Sequence, residues 1–375
     1  MEQACSSLEI VVSDNASSDE TRSVVGRFQD SRIRYVNTGK ALSMPKSWEF
    51  ALNAAQGEWI SILSDDSVLS PALLKELYPK IADFKSDFIS WPYARYYFPS
   101  WPKTEEKNSL HYLPFKGGTR RLSSREELKR LYKSSSFIAS SPSIYKGFCH
   151  RSVIDRARKR SGVFFDPPAP DYSAAAATLF LTEGFTFIDR PYTIMGTAKE
   201  SIGESSNQDR GEAFQRFIAE FEGENIFSHV PLPLYVTRNI ISEALLRTSQ
   251  SMGEKIEVDW PTYFKECYRD LLRLSANGIS IDNEKTILFD YLEQHDMKRV
   301  KQELAQVTVL EDRNWKKAFG DREGFSNILE GMSYLDSKVR VAKRRNSPGV
   351  WLSGLFGSGE KGTKVAGEEE PRREA

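Results

Sequence analysis

The chain's 375 residues are 39% hydrophobic and 12% aromatic, enough for a sizeable core and room for one large domain or two ordinary ones. Lys and Arg number 52 against 52 Asp and Glu, so the formal net charge is zero, which argues against a global polyanion-binding role and predicts no nucleic-acid partner. The longest apolar run, at 174–181, is far short of the roughly 20 residues that span a bilayer. Cys5, Cys149 and Cys267 form neither a disulfide framework nor a CxxC metal site. The composition predicts a globular protein of a reducing compartment, the cytoplasm.

In chain order, residues 8–13 (LEIVVS) read as a buried strand stopped by Asp14 and Asn15. Residues 19–25 have helical character, and Asp19 reads as a residue that supports the helix start. A second strand follows at 32–36, and a helix at 46–56 with Gly57 just past its end. A third strand at 59–63 runs into Ser64-Asp65-Asp66-Ser67. Pro71 then opens a helix over 72–84, and 88–91 reads as a fourth strand. Alternation of this kind predicts an α/β fold, a mostly parallel sheet flanked by helices. Residues 92–135, rich in Pro, Tyr and Trp, look less regular, with 116–121 as a loop. Mixed structure resumes over 137–200. Beyond about 210 the spacing turns helical at 212–221, 238–251, 263–274, 285–294 and 297–306. The predicted organisation is an α/β domain at 1–205, a helical C-terminal region at 206–345 and a disordered tail at 346–375.

Ligands of an open parallel sheet bind beyond the carboxyl ends of its strands. Two predicted strands end there in acidic or amide clusters, Asp14-Asn15 and Asp65-Asp66. Carboxylates so placed suit a hard divalent cation completed by phosphate oxygens, or, more plainly, cap helices and turns. In combination, LEIVVSDNASSDET, RIRYVN and AAQGEWISILSDDSVLSPALL resemble the family 2 glycosyltransferases, which have the GT-A fold; the resemblance covers roughly residues 8–200. It implies that Asp66, with Asp65 beside it, binds Mg²⁺ or Mn²⁺ and the pyrophosphate of a nucleotide-sugar donor. Ser67 stands where the family often has a third acid or an amide. By the same resemblance Asp14 and Asn15 lie on the nucleobase side, and Lys46 is a candidate for the pyrophosphate or, more simply, a solvated lysine.

The family's inverting transfer needs a carboxylate base at the acceptor hydroxyl. Asp171 lies where the family carries that acid, with Asp166 in reserve; its simpler role is N-cap of the helix that follows. Residues 145–150, including His150, are candidates to line an acceptor pocket, and the aromatics of 91–101 to stack on sugars, though packing roles suit both. The implied acceptor is a saccharide or lipid-linked saccharide of bacterial surface-polysaccharide or glycolipid synthesis. The basic run 338–345 and the apolar run 350–356 suggest weak peripheral contact with the inner membrane face, or a solvated helix end. Two rivals remain: a GT-A-like protein that binds without turnover, and a nucleotidyltransferase, which would ordinarily carry a Gly-rich phosphate loop not seen here. Family members usually have a further strand and helix ahead of the LEIVVSDN segment. Their lack at this point predicts an N-terminally truncated chain, unstable or inactive as given.

Overall fold

The structure, a computed structural model, describes residues 5–134, 139–199, 201, 210–308 and 321–345. The chain runs β1 (Ile10–Asp14), α1 (Thr21–Gly26), β2 (Ile33–Asn37), α2 (Met44–Ala54), β3 (Trp59–Ile60), β4 (Val68–Leu69), α3 (Ala72–Leu77), β5 (Phe88–Ser90), β6 (Tyr93–Tyr97), β7 (Ser109–Tyr112) and β8 (Thr119–Ser123). It continues through α4 (Ser124–Ser134), β9 (Gly147–His150), α5 (Arg151–Ser161), α6 (Pro170–Leu181), β10 (Gly184–Ile188) and β11 (Thr193–Thr197). The C-terminal elements are α7 (Glu212–Ala219), α8 (Thr237–Ser251), α9 (Trp260–Ala276), α10 (Asp282–Gln294), α11 (Lys298–Leu304), β12 (Asp321–Gly324) and α12 (Ile328–Arg345).

Among the described residues the strands form three sheets. β1 and β2 pair parallel by themselves, in the register Ile10↔Ile33 to Asp14↔Asn37. The other sheets have the orders β3-β9-β5-β10-β8 and β12-β7-β6-β11-β4. The α/β architecture with flanking helices and a helical C-terminal region is as expected. The pairing is mixed rather than mostly parallel: β5/β10 and β6/β11 run parallel, whereas β3/β9, β5/β9, β8/β10, β6/β7, β4/β11 and β7/β12 run antiparallel.

Several local expectations are corrected. Helix α2 ends at Ala54, with Ala55 extended, so Gly57 is no helix cap. Its N–H instead donates to Glu9 Oε1 at 2.5 Å, and its carbonyl accepts from Arg151. The helix expected over 72–84 is α-helical only to Leu77 and continues as a 3₁₀ helix (Tyr78–Phe84), because Pro79 has no N–H for the α ladder. Residues 92–134 hold more regular structure than expected, namely β6, β7, β8 and α4. Residues 119–121, expected in a loop, pair with β10.

The largest core lies between the second sheet and α2, α4, α5, α6 and α8. Helix α6 runs through its middle, with Ala174, Ala175, Ala176 and Ala177 all buried. Side chains this small let neighbouring helices approach its backbone closely, so α6 is an axle rather than a surface helix. A second core, around Leu271, Leu274, Leu288, Leu292 and Leu304, joins α9, α10 and α11. The last helix, α12, returns to cover the third sheet, where Met332 and Leu335 pack with Leu110 and Ile194. Among the described residues no helix is long and apolar enough to cross a membrane. The 346–375 tail and the apolar run 350–356 lie outside the described residues. So do the side chains of the basic run beyond Val339.

Candidate active site

Asp14 closes β1 and is buried. Its Oδ1 accepts from the Ser17 N–H at 2.8 Å, and its Oδ2 from the Tyr35 hydroxyl and from Asn37 Nδ2 at 2.8 Å. Tyr35 and Asn37 alternate on β2, which the parallel register sets beside Asp14. These donors, the phenol first and then Ser17, hold the carboxyl down to about 2. Asn15 works as a loop clamp. Its Nδ2 donates to the Leu42 carbonyl at 2.8 Å, and its Oδ1 accepts from the Leu42 N–H at 2.9 Å and Thr38 Oγ1 at 3.2 Å. Asp19 takes the Thr21 N–H at 2.9 Å at the start of α1, the supporting role read from the sequence.

Beyond β3, Asp66 Oδ1 accepts from Ser64 Oγ at 2.6 Å and Ser67 Oγ at 3.1 Å. One carboxylate edge is thus fixed by two serines, and Asp65 beside it is exposed. Among the described residues no cluster of three or more His, Cys, Asp or Glu forms a ready-made metal cage. One or two carboxylates completed by substrate phosphates is how Mg²⁺ is usually held, so the donor set fits a hard cation that arrives with a phosphorylated ligand.

Asp171 lies in the first turn of α6, after Ala169 at the cap position and Pro170; it is therefore not the N-cap. Burial raises its carboxyl to about 6, against the opposing pull of the Tyr172 and Asp171 backbone N–H groups. Burial also pushes the Tyr145 phenol far up, and the carboxylates of Asp171 and Asp66 push it further, so both acids lie within electrostatic reach of one ring. Helix α2 ties this group together. Trp48 packs edge-on against Tyr145 and Phe165, each with centroids at 5.2 Å. Glu49 Oε1 accepts the Phe164 and Phe165 N–H groups at 2.6 and 2.8 Å, steering the loop that leads to Asp171.

Asp166, by contrast, has other neighbours. Burial raises its carboxyl, Arg247 and His229 draw it down, and Glu243 and Glu49 raise it again. Lys46 pairs with Glu224 at 3.1 Å on the surface, and beside it Glu220 Oε2 accepts the Met44 N–H at 2.8 Å. His150 caps α5 and reaches Glu58 at 3.0 Å, a structural histidine. Trp91 and Trp101 are buried, with ring N–H groups bonded to Thr193 and Glu106, so their role is packing. Sequence reasoning missed Tyr35, Asn37, Trp48 and Glu49. The alternation of Tyr35 and Asn37 on a strand parallel to β1 was a usable signal; nothing local marked Trp48 or Glu49.

Among curated proteins the chain is similar to glycosyltransferase GlyG of Streptococcus pneumoniae serotype 4, at 22% identity over 98 residues, 26% of this chain and 33% of that protein. The chain therefore spans about a third of that relative's length. Among solved structures it is similar to S. aureus TarS 1-349 in complex with UDP-GlcNAc, at 14% identity and a TM-score of 0.44, and in complex with UDP, at 14% and 0.43. Each likeness covers 81% of this chain and 85% of the other. The family model described as Glycosyl transferase family 2 matches residues 1–146, so the resemblance carried by the two acidic strand ends is borne out over that part of the chain.

Proposed function

We propose that the chain is a glycosyltransferase that moves a sugar, with inversion, from a nucleotide-sugar donor to a hydroxyl of a saccharide or lipid-linked saccharide. The observation that supports this reading best is the match of residues 1–146 to the family 2 model, within which Ser64 and Ser67 fix one edge of Asp66, while burial raises the Asp171 carboxyl to about 6. The reaction asks for two acids with different tasks, one to hold charge at the donor and one tuned to take a proton near neutrality, the latter matching Asp171.

In this reading Asp66, with Asp65, holds Mg²⁺ or Mn²⁺ against the donor pyrophosphate. The cation, when bound, neutralises charge on the departing nucleoside diphosphate. The protein's own part is positional and protonic. Ser64 and Ser67 keep one edge of Asp66 fixed, so its other edge is presented without reorganisation. Asp14 and Asn15 shape the nucleobase side, Asp14 by bracing its turn and Asn15 by holding the 38–42 loop. Lys46 turns to the pyrophosphate when donor is present. Its exposed pair with Glu224 is of a kind worth about 0–1 kcal/mol and is readily exchanged. Asp171 takes the acceptor hydroxyl's proton as the oxygen attacks the anomeric carbon, with Asp166 the alternative base. The reaction belongs to surface-polysaccharide or glycolipid synthesis on the cytoplasmic side, with the basic 338–345 run near anionic lipid.

The test incubates the protein with Mn²⁺ and a panel of nucleotide-sugars, UDP-sugars first because a TarS structure carries UDP-GlcNAc, and measures released nucleoside diphosphate. Release that needs both an acceptor and the cation supports the reading. Binding of a nucleotide-sugar without release would favour a non-catalytic binding protein.

A further inference from the structure

The acidic turn at Asp65-Asp66 is short, lies just ahead of the two-residue strand β4, and yet is gripped from both sides by distant parts of the chain. On one side stands β11, antiparallel to β4 with Thr193↔Leu69 and Ile194↔Val68. Continuing that register by two residues sets Gly196 opposite Asp66. A Cβ at Gly196 would lie 2.2 Å from the Asp66 carbonyl oxygen, 2.9 Å from Asp66 Cβ and 2.5 Å from the Phe98 ring. Gly196 is not among the glycines with positive φ, so what requires glycine here is space. Its N–H points to Ser67 Oγ at 3.4 Å, and Ser67 in turn donates to Asp66 Oδ1.

On the other side, at the end of β4, the fully buried Ser70 donates to Asp336 of α12, with Oδ1 at 2.8 Å and Oδ2 at 2.9 Å. Asp336 also receives Arg190 Nη2 at 2.9 Å, and Arg190 is bonded to Glu76 of α3. The Ser70 N–H donates to the Tyr192 carbonyl at 2.8 Å, just ahead of β11. The segment 66–70 is therefore held at both ends by groups with no place in the proposed chemistry.

We infer that Gly196 and Asp336 are positioning residues for Asp66: the close backbone approach at Gly196 and the Ser70–Asp336 tie together aim its carboxylate, and so set the affinity for a divalent cation with a nucleoside diphosphate. The inference rests on the donor-site reading of Asp66. Groups that orient a metal ligand in this way typically cost about 10–100-fold in metal affinity when altered.

The test titrates UDP into the full chain by calorimetry, with and without Mn²⁺, alongside thermal unfolding. Gly331→Ala is the matched control, since a Cβ there meets Leu110 and Ile194 side chains at an ordinary 3.6 Å. Gly196→Ala is expected to weaken Mn²⁺-dependent UDP binding about tenfold or more, with metal-free binding unchanged and Gly331→Ala like wild type. A role confined to stability would lower the unfolding temperature and leave the ratio of metal-dependent to metal-free affinity unmoved; that result overturns the inference. Should Gly196→Ala fail to fold, Asp336→Asn decides, since it keeps the shape but removes the charge facing Arg190. A fall of about threefold or more in the same ratio supports the inference, and a wild-type ratio overturns it. Wild-type protein that shows no Mn²⁺-dependent binding would instead overturn the donor-site reading itself.

Discussion

At the scale of single residues, the two tuned carboxyls make opposite predictions about pH. A base must be ionised to act, so with Asp171 raised to about 6, kcat/KM should fall as pH drops through about 6, on an acid limb that Asp171→Asn abolishes. The same shift destabilises the fold at neutral pH, because burial disfavours the ionised form. Stability should rise as pH falls from about 6 toward the unfolded value of 3.8. Asp171→Asn should therefore gain about 1–3 kcal/mol at pH 7 in urea unfolding while losing activity, an inverse coupling that a merely structural aspartate would not give. Asp14 has the opposite sign. Its folded pKa is depressed to about 2, so its contribution is whole above about pH 4 and is lost as pH falls through 2. Tyr35→Phe removes its strongest donor, so the urea midpoint should drop at neutral pH, and the further loss between about pH 4 and 2 should be smaller than in wild type.

At the scale of elements, α6 turns composition into position. Its run of small residues lets α2, α4, α5 and α8 close around it, and its first turn delivers Asp171. Ala176 is fully buried, and Ala176→Leu should cost about 1–3 kcal/mol in urea unfolding, the usual penalty for overfilling a packed core. The elements also mark how far the sequence could be read. β1, β2, α2 and the C-terminal helices α8 to α11 were legible because their apolar spacing or β-branched runs are local. β6, β7 and β8 were not, since Tyr, Trp and Pro blur the alternation and their partners are remote; β6 pairs with β11 across about a hundred residues of chain. For the candidate site, Asp14, Asp65 and Asp66 were legible just past expected strands, and Asp171 only through the family resemblance. Tyr35, Trp48, Glu49 and Gly196 were not, because each acts through a contact made only on folding.

On the scale of the whole molecule, the last described helix returns to a sheet built from earlier parts of the chain. Helix α12 covers the third sheet through Leu335, fully buried against the cluster of Ala94, Tyr96, Leu110 and Ile194, and its Asp336 reaches Ser70. Leu335→Ala should therefore cost about 2–5 kcal/mol and also speed hydrogen exchange of the amides at 65–70, far from the substitution in sequence. Exchange changed only within α12 would contradict the coupling. The central claim, that one acid holds the donor and another activates the acceptor, is tested most directly by measuring transfer at saturating donor in Asp171→Asn, with donor affinity determined on the same sample. The account predicts wild-type donor affinity with transfer reduced about 10²-fold or more. Transfer near the wild-type rate would contradict it.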